Sequence, residues 1–175
     1  MVENANLEGI GMTSRRTRMR LVQRLRDKGI QNEAVLEAMA QMPRHIFLDE
    51  ALAHRSYEDT ALPIGYNQTI SQPYIVARMT ELLLQTNPRR VLELGTGSGY
   101  QAAILSKVVE HVYTVERISP LLQKALSRFQ HLRLRNIYAR HADGTIGWPE
   151  QAGFDAIIMT AAPGDIPQEL LRQLS

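Results

Sequence analysis

Apolar residues recur at helical spacing in the first part of the chain and gather into short unbroken runs in the second. Leu21, Val22 and Leu25 form a stripe in a segment that Ser14 can cap and Gly29 can end, which predicts a helix over 14–28. Asn32 opens a second helix with Val35, Leu36, Met39 and Met42 on one face, and Pro43 stops it. Residues 46–52 read as a further short helix. From residue 90 the period changes. A short apolar strand over 90–94 runs into a glycine-rich turn and a helix over 100–108. A strand over 111–115, a helix over 119–131 and a weaker strand over 136–140 follow. A strongly apolar strand over 154–160 leads to a helix start at Pro167. Strand–helix alternation predicts an α/β fold, a mostly parallel sheet with helices on both faces, with ligands bound outside the carboxyl ends of the strands. The expected organisation is a flexible leader (1–13) and one domain (14–175). That domain divides into N-terminal helices and a loop (14–72) and the sheet (73–175).

The length of 175 residues supports one domain, and 44% hydrophobic residues is ordinary for a globular protein. Zero cysteine removes disulfides, thiolate zinc sites, iron–sulfur clusters and cysteine nucleophiles from this stretch of chain, and fits a reducing compartment. The longest uncharged stretch, 60–77, is rich in Asn, Gln, Thr, Ser, Gly and Pro and does not read as a membrane span. No apolar signal-peptide core stands at the N-terminus, so a cytoplasmic location without membrane association is expected. Charge is unevenly placed. Residues 1–30 carry seven basic and three acidic side chains, while the remainder is slightly acidic. That pattern describes one basic helix on a near-neutral body, not the working face of a nucleic-acid binder. The five histidines show no metal-ligand spacing, so no metal is expected, the His141/Asp143 pair included.

The glycine-rich turn reads Val91-Leu92-Glu93-Leu94-Gly95-Thr96-Gly97-Ser98-Gly99-Tyr100. Glycines permit a sharp strand-to-helix turn and a close backbone approach to a ligand. The dinucleotide fingerprint is GxGxxG, but here the third glycine comes one residue early. Glu116 follows Gly95 by 21 residues, where a carboxylate can accept hydrogen bonds from ribose hydroxyls. Read alone, the glycines could be a tight turn and the acids ordinary loop residues. The form E-x-G-x-G-x-G resembles the first motif of S-adenosylmethionine-dependent methyltransferases. The resemblance implies S-adenosylmethionine as cofactor and S-adenosylhomocysteine as product. The loop Gly95, Thr96, Gly97, Ser98 and Gly99 would lie along the amino-acid moiety. Glu93 would act on its ammonium, Glu116 on the ribose, and Asp143 with Gly144 on the adenine amino group.

The segment Ala61-Leu62-Pro63-Ile64-Gly65-Tyr66-Asn67-Gln68-Thr69-Ile70-Ser71-Gln72-Pro73 narrows the resemblance. Pro43-Arg44-His45-Ile46-Phe47 precedes it, and Thr160-Ala161-Ala162-Pro163 stands after the last strand. Together and in order, these motifs are similar to those of protein-L-isoaspartate O-methyltransferases, from about residue 14 onward. The family transfers a methyl group to the free α-carboxylate of L-isoaspartyl residues in damaged proteins and peptides, which begins their repair. The resemblance implies Ser71 as the catalytic hydroxyl, with Thr69, Ile70 and Gln72 flanking the substrate. From the residues alone, Ser71 reads better as a helix cap ahead of Pro73 than as a catalytic group.

Two other readings stand beside this one. The family fold continues beyond Ser175, so the chain is expected to be truncated and could be a cofactor-binding fragment without turnover. A nucleic-acid methyltransferase is the weaker alternative. The amino-methylating motif is absent after the fourth strand, which reads Thr160-Ala161-Ala162-Pro163-Gly164. A monomer is expected, with an oligomer left open as the alternative.

Overall fold

The computed structural model describes residues 7–160 and 164–175. Part of the expected leader, and Ala161, Ala162 and Pro163 of the last motif, lie outside the described residues. The chain forms two compact units, 1–82 and 83–175.

In the first unit, helix α1 (Arg15–Asp27) starts where Ser14 Oγ accepts the Thr17 N–H at 3.3 Å. It buries Leu21, Val22 and Leu25, the expected stripe, together with Arg18. Helix α2 (Glu33–Gln41) is capped by Asn32 through the Val35 N–H. Glu81 adds a cap from a distance, its Oε1 accepting from the N–H groups of Gln31 and Asn32 at 2.7 and 2.8 Å. In place of the single short helix expected over 46–52, two 3-10 turns form, Arg44–Phe47 and Glu50–Arg55. Leu48 and Asp49 between them take extended backbone, which interrupts helical hydrogen bonding. Residues 60–71, expected as a loop, contain an antiparallel hairpin, β1 (Leu62–Gly65) and β2 (Gln68–Ile70). Its turn places Tyr66 and Asn67 both at φ 56°, the mirror-image turn that suits the right-handed twist of paired strands. Helix α3 (Pro73–Leu83) follows. Its first turn is capped by Asp59, whose Oδ1 accepts the Tyr74 N–H at 2.9 Å and whose other oxygen pairs with Lys28.

The second unit is a four-stranded parallel sheet in the order β5-β4-β3-β6. The strands are β3 (Arg90–Leu94), β4 (His111–Glu116), β5 (Ile137–His141) and β6 (Ala156–Met159). Helix α4 (Tyr100–Leu105) packs on β4, and α5 (Ser119–His131) on β4 and β5. A short α6 (Gln168–Leu171) closes the described chain. Leu92 and Leu94 pack with Tyr113, Val115, Phe154 and Leu170 in one core. Val91 and Val112, pointing to the other face by strand alternation, are also fully buried. The start of β3 is fixed to β6 by Asp155, whose Oδ2 accepts the N–H groups of both Arg89 and Arg90 at 2.8 Å. The crossover from β3 through α4 to β4 places the glycine turn at the carboxyl end of the sheet.

Candidate active site

Every glycine of the turn uses backbone that other residues rarely adopt. Gly95, Gly97 and Gly99 lie at φ 90°, 55° and 91°. A Cβ on Gly99 would also meet the Phe129 ring at 2.8 Å, so helix α5 leaves room there only for hydrogen. The N–H groups of Gly95 and Thr96 both donate to the Val115 carbonyl, at 2.8 and 3.2 Å, which ties the turn to the end of β4.

Two carboxylates converge on this turn. Glu116 is 6% exposed; its Oε2 accepts the Gly97 N–H and its Oε1 the Ile118 N–H, each at 2.8 Å. Each oxygen keeps a second acceptor position, so the group can still receive hydroxyl donors. Glu93 has no exposed surface; its Oε1 accepts from Thr114 Oγ1 at 2.6 Å, and that hydroxyl lies 2.6 Å from Thr96 Oγ1. Glu93 Oε2 is buried and has no hydrogen-bond partner among the described residues. Burial pushes the Glu93 carboxyl up to about 8, and the nearby Glu116 charge pushes the same way against the Thr114 hydrogen bond. A buried acceptor left open beside a turn that only glycine can make fits a ligand bringing an ammonium or N–H donor.

Asp143 and Gly144 follow β5. Asp143 is exposed and caps a 3-10 turn (Gly144–Ile146), accepting from the N–H and hydroxyl of Thr145 at 2.9 and 2.8 Å. Those bonds hold its carboxyl below the usual range. The loop is fastened by buried Gln173, which accepts the Trp148 N–H and donates to the Ile146 carbonyl, both at 2.8 Å. So the second unit gathers Glu93, Gly95, Thr96, Gly97, Ser98, Gly99 and Glu116 at one strand end, with Asp143 and Gly144 beyond the neighbouring strand. Thr114 belongs to this group and was not singled out by motif. Its signal is position, for it pairs with Glu93 in the β3–β4 register.

In the first unit, Thr69 and Ile70 end β2, and Ser71 and Gln72 connect it to α3. Ile70 is buried and Thr69 exposed. The residue directly ahead of the helix is Gln72, whose carbonyl accepts the Val76 N–H at 3.1 Å. Ser71 therefore stands one position outside the cap. Among the described residues its half-buried hydroxyl has no hydrogen-bond partner, while its carbonyl accepts from Arg44 Nη1 at 3.0 Å. Among the described residues, no group of three or more His, Cys, Asp or Glu side chains is placed to hold a metal ion. No helix there is long and apolar enough to cross a membrane.

A parallel sheet carrying an E-x-G-x-G-x-G turn, with acidic groups after the next two strands, defines an S-adenosylmethionine-dependent methyltransferase fold. Residues 16–175 match the family model of protein-L-isoaspartate(D-aspartate) O-methyltransferase. A relative from Marinobacter nauticus, protein-L-isoaspartate O-methyltransferase 1, is 66% identical over 98% of this chain and 78% of its own. One from Hahella chejuensis, protein-L-isoaspartate O-methyltransferase, is 68% identical over 94% of this chain and 78% of its own. A solved protein-L-isoaspartate O-methyltransferase superposes with TM-score 0.83 at 30% identity, over 90% of this chain and 52% of that one. The chain belongs to the protein-L-isoaspartate(D-aspartate) O-methyltransferase family. Its reaction is methylation of isoaspartyl residues in proteins and peptides, and the solved Plasmodium falciparum relative (24% identical, TM-score 0.79) was crystallised with S-adenosyl-L-homocysteine.

Proposed function

We propose the following division of labour for methyl transfer to the free α-carboxylate of an L-isoaspartyl residue. The cofactor supplies a methyl group on a positively charged sulfur. Glu93 receives its ammonium, the Gly95–Gly99 turn lies along its amino-acid part, and Glu116 accepts from its ribose hydroxyls. Asp143 and Gly144 face the adenine. Thr69, Ile70 and Gln72 flank the acceptor, and the Ser71 hydroxyl donates to one oxygen of its carboxylate. The observation that best supports this reading is the open Glu93 Oε2, buried beside the glycine turn.

The acceptor needs no base. A carboxylate of ordinary pKa near 4 is already ionised at neutral pH. Catalysis is then chiefly placement of oxygen, methyl carbon and sulfur in line, which can supply about 7–11 kcal/mol of the barrier in favourable cases. Ser71 can hold one oxygen while leaving the other free to attack. The absence of charged residues over 60–77 suits the site, since a fixed carboxylate there would repel the acceptor. The substrate is protein and not nucleic acid. The enzyme works in the cytoplasm, as a monomer and without metal.

The test is methyl-ester formation on an isoaspartyl peptide and on its aspartyl twin, with wild type and Ser71→Ala. Ester should form on the isoaspartyl peptide alone. Ser71→Ala should lower kcat about 10- to 100-fold with cofactor affinity unchanged. Equal labelling of both peptides would discard the specificity, and cofactor binding without turnover would mark a binding fragment.

A further inference from the structure

We propose that Arg44 is a positioning residue for Ser71, a guanidinium clasp that holds the substrate segment so that its hydroxyl meets the acceptor carboxylate. This role presupposes the acceptor-holding role of Ser71 given above. Arg44 opens the first 3-10 turn and has no exposed surface. Its Nε donates to the Ser56 carbonyl at 2.7 Å, Nη2 to Thr60 at 3.3 Å and Nη1 to Ser71 at 3.0 Å. One planar group thereby joins three backbone points 12, 16 and 27 residues further along the chain.

The third bond matters most because of what surrounds Ser71. The residue lies after the last ladder position of β2, Ile70, and before the first helical position of α3, Pro73. Neither the sheet nor the helix orders its peptide group. Buried Ile70 fixes one side, and on the other Pro73 confines Gln72 to extended backbone. What is left is the torsion between the Ser71 carbonyl and its Cα–Cβ bond, which sets where the hydroxyl stands relative to the backbone that Arg44 holds. Arg44 Nη1 holds that carbonyl. Lysine cannot replace it, since an ammonium is a single point on a flexible stem and does not reach three carbonyls in fork geometry. Complete burial of a guanidinium is costly unless its donors are used, and here Nε, Nη1 and Nη2 each donate to a backbone carbonyl, one of them that of Ser71.

The experiment is a double-mutant cycle of Arg44→Lys and Ser71→Ala, read as kcat, KM for isoaspartyl peptide, affinity for S-adenosylhomocysteine and thermal melting. Misplacement by about an ångström can cost around 100-fold. We expect each single variant to lose about 10- to 100-fold in kcat, with product affinity within about twofold of wild type, and the double variant to be no slower than Ser71→Ala. Additive losses would overturn the clasp while leaving Ser71 in place. So would normal kcat in Arg44→Lys beside an impaired Ser71→Ala. Normal kcat in Ser71→Ala would overturn the reading of Ser71 and the clasp with it. Arg44→Gln guards against a folding artefact. If neither Arg44 variant melts cooperatively, the residue belongs to the scaffold and the proposal fails.

Discussion

Two buried ionisable groups serve the two units, and they are handled in opposite ways. Glu93 is left with one oxygen open and its carboxyl raised to about 8, so folding alone does not satisfy it. Arg44 donates to carbonyls from three separate segments. The first arrangement stores an unmet demand that a ligand can fill. The second converts charge into backbone order and, among the described residues, leaves the neighbouring Ser71 hydroxyl without a partner. On the roles proposed above, a site for a cation and a site for an anion would call for these different solutions.

The sharpest way to break the comparison is Gly99→Ala. Its Cβ would meet Phe129 at 2.8 Å and its φ of 91° disfavours any side chain, so about 1–3 kcal/mol of strain is expected. Calorimetry should show cofactor affinity lost, with the secondary structure retained by circular dichroism. Next is Glu93→Gln. The folded chain holds the Glu93 proton up to about 8, whereas an unfolded chain releases it near 4.5, so the stability of the ligand-free protein should fall as pH rises across that window. Melting temperatures measured from pH 5 to 9 should show that slope in wild type and lack it in Glu93→Gln. A slope unchanged by the substitution would mean Glu93 is not the titrating group.

Asp59→Asn is a milder test in the first unit. Burial pushes this carboxyl up, but the Lys28 pair, the Tyr74 N–H and Gln72 outweigh it, and its pKa is lowered. Its contribution is present above the ordinary carboxylate range and is lost as pH falls through the lowered value. The amide keeps an acceptor for the Tyr74 N–H, so what is lost is the Lys28 ion pair, at a cost of about 0.2–1 kcal/mol, seen as a slightly lower melting temperature at pH 7 that converges with wild type in acid. The smallest effect belongs to Arg89→Ala. Its pair with Glu110 at 2.8 Å is solvent-exposed on both sides, and neither melting temperature nor kcat should change measurably.

The second unit was the more legible from sequence because its site is local. Strand, glycine turn and helix are contiguous, and Glu93 and Glu116 sit at fixed offsets from Gly95. The 90–94 strand and the 119–131 helix stand at the expected residues. The first unit was legible only in its helices. The β1–β2 hairpin escaped because its turn puts Tyr66 and Asn67, rather than an Asn-Gly pair, at positive φ, and Pro63 argues against a strand. Arg44 escaped as a contributor because its partners lie 12 to 27 residues away and are all carbonyls, which leave no mark in side-chain spacing. Thr114 was hidden in an apolar strand and reaches Glu93 only through the β3–β4 register.

Gln173 has a consequence for the order in which the protein is made. The loop that carries Asp143 and Gly144 is secured by the side chain of a residue 25 to 27 positions later than the backbone groups it holds. At a synthesis rate of about 5–20 residues per second, roughly 1–5 s separate the appearance of that loop from the appearance of its fastener. The glycine turn and both buried glutamates are synthesised before either. On the ribosome, the loop of Asp143 and Gly144 is therefore fastened only after the glycine turn, Glu93 and Glu116 have already been made.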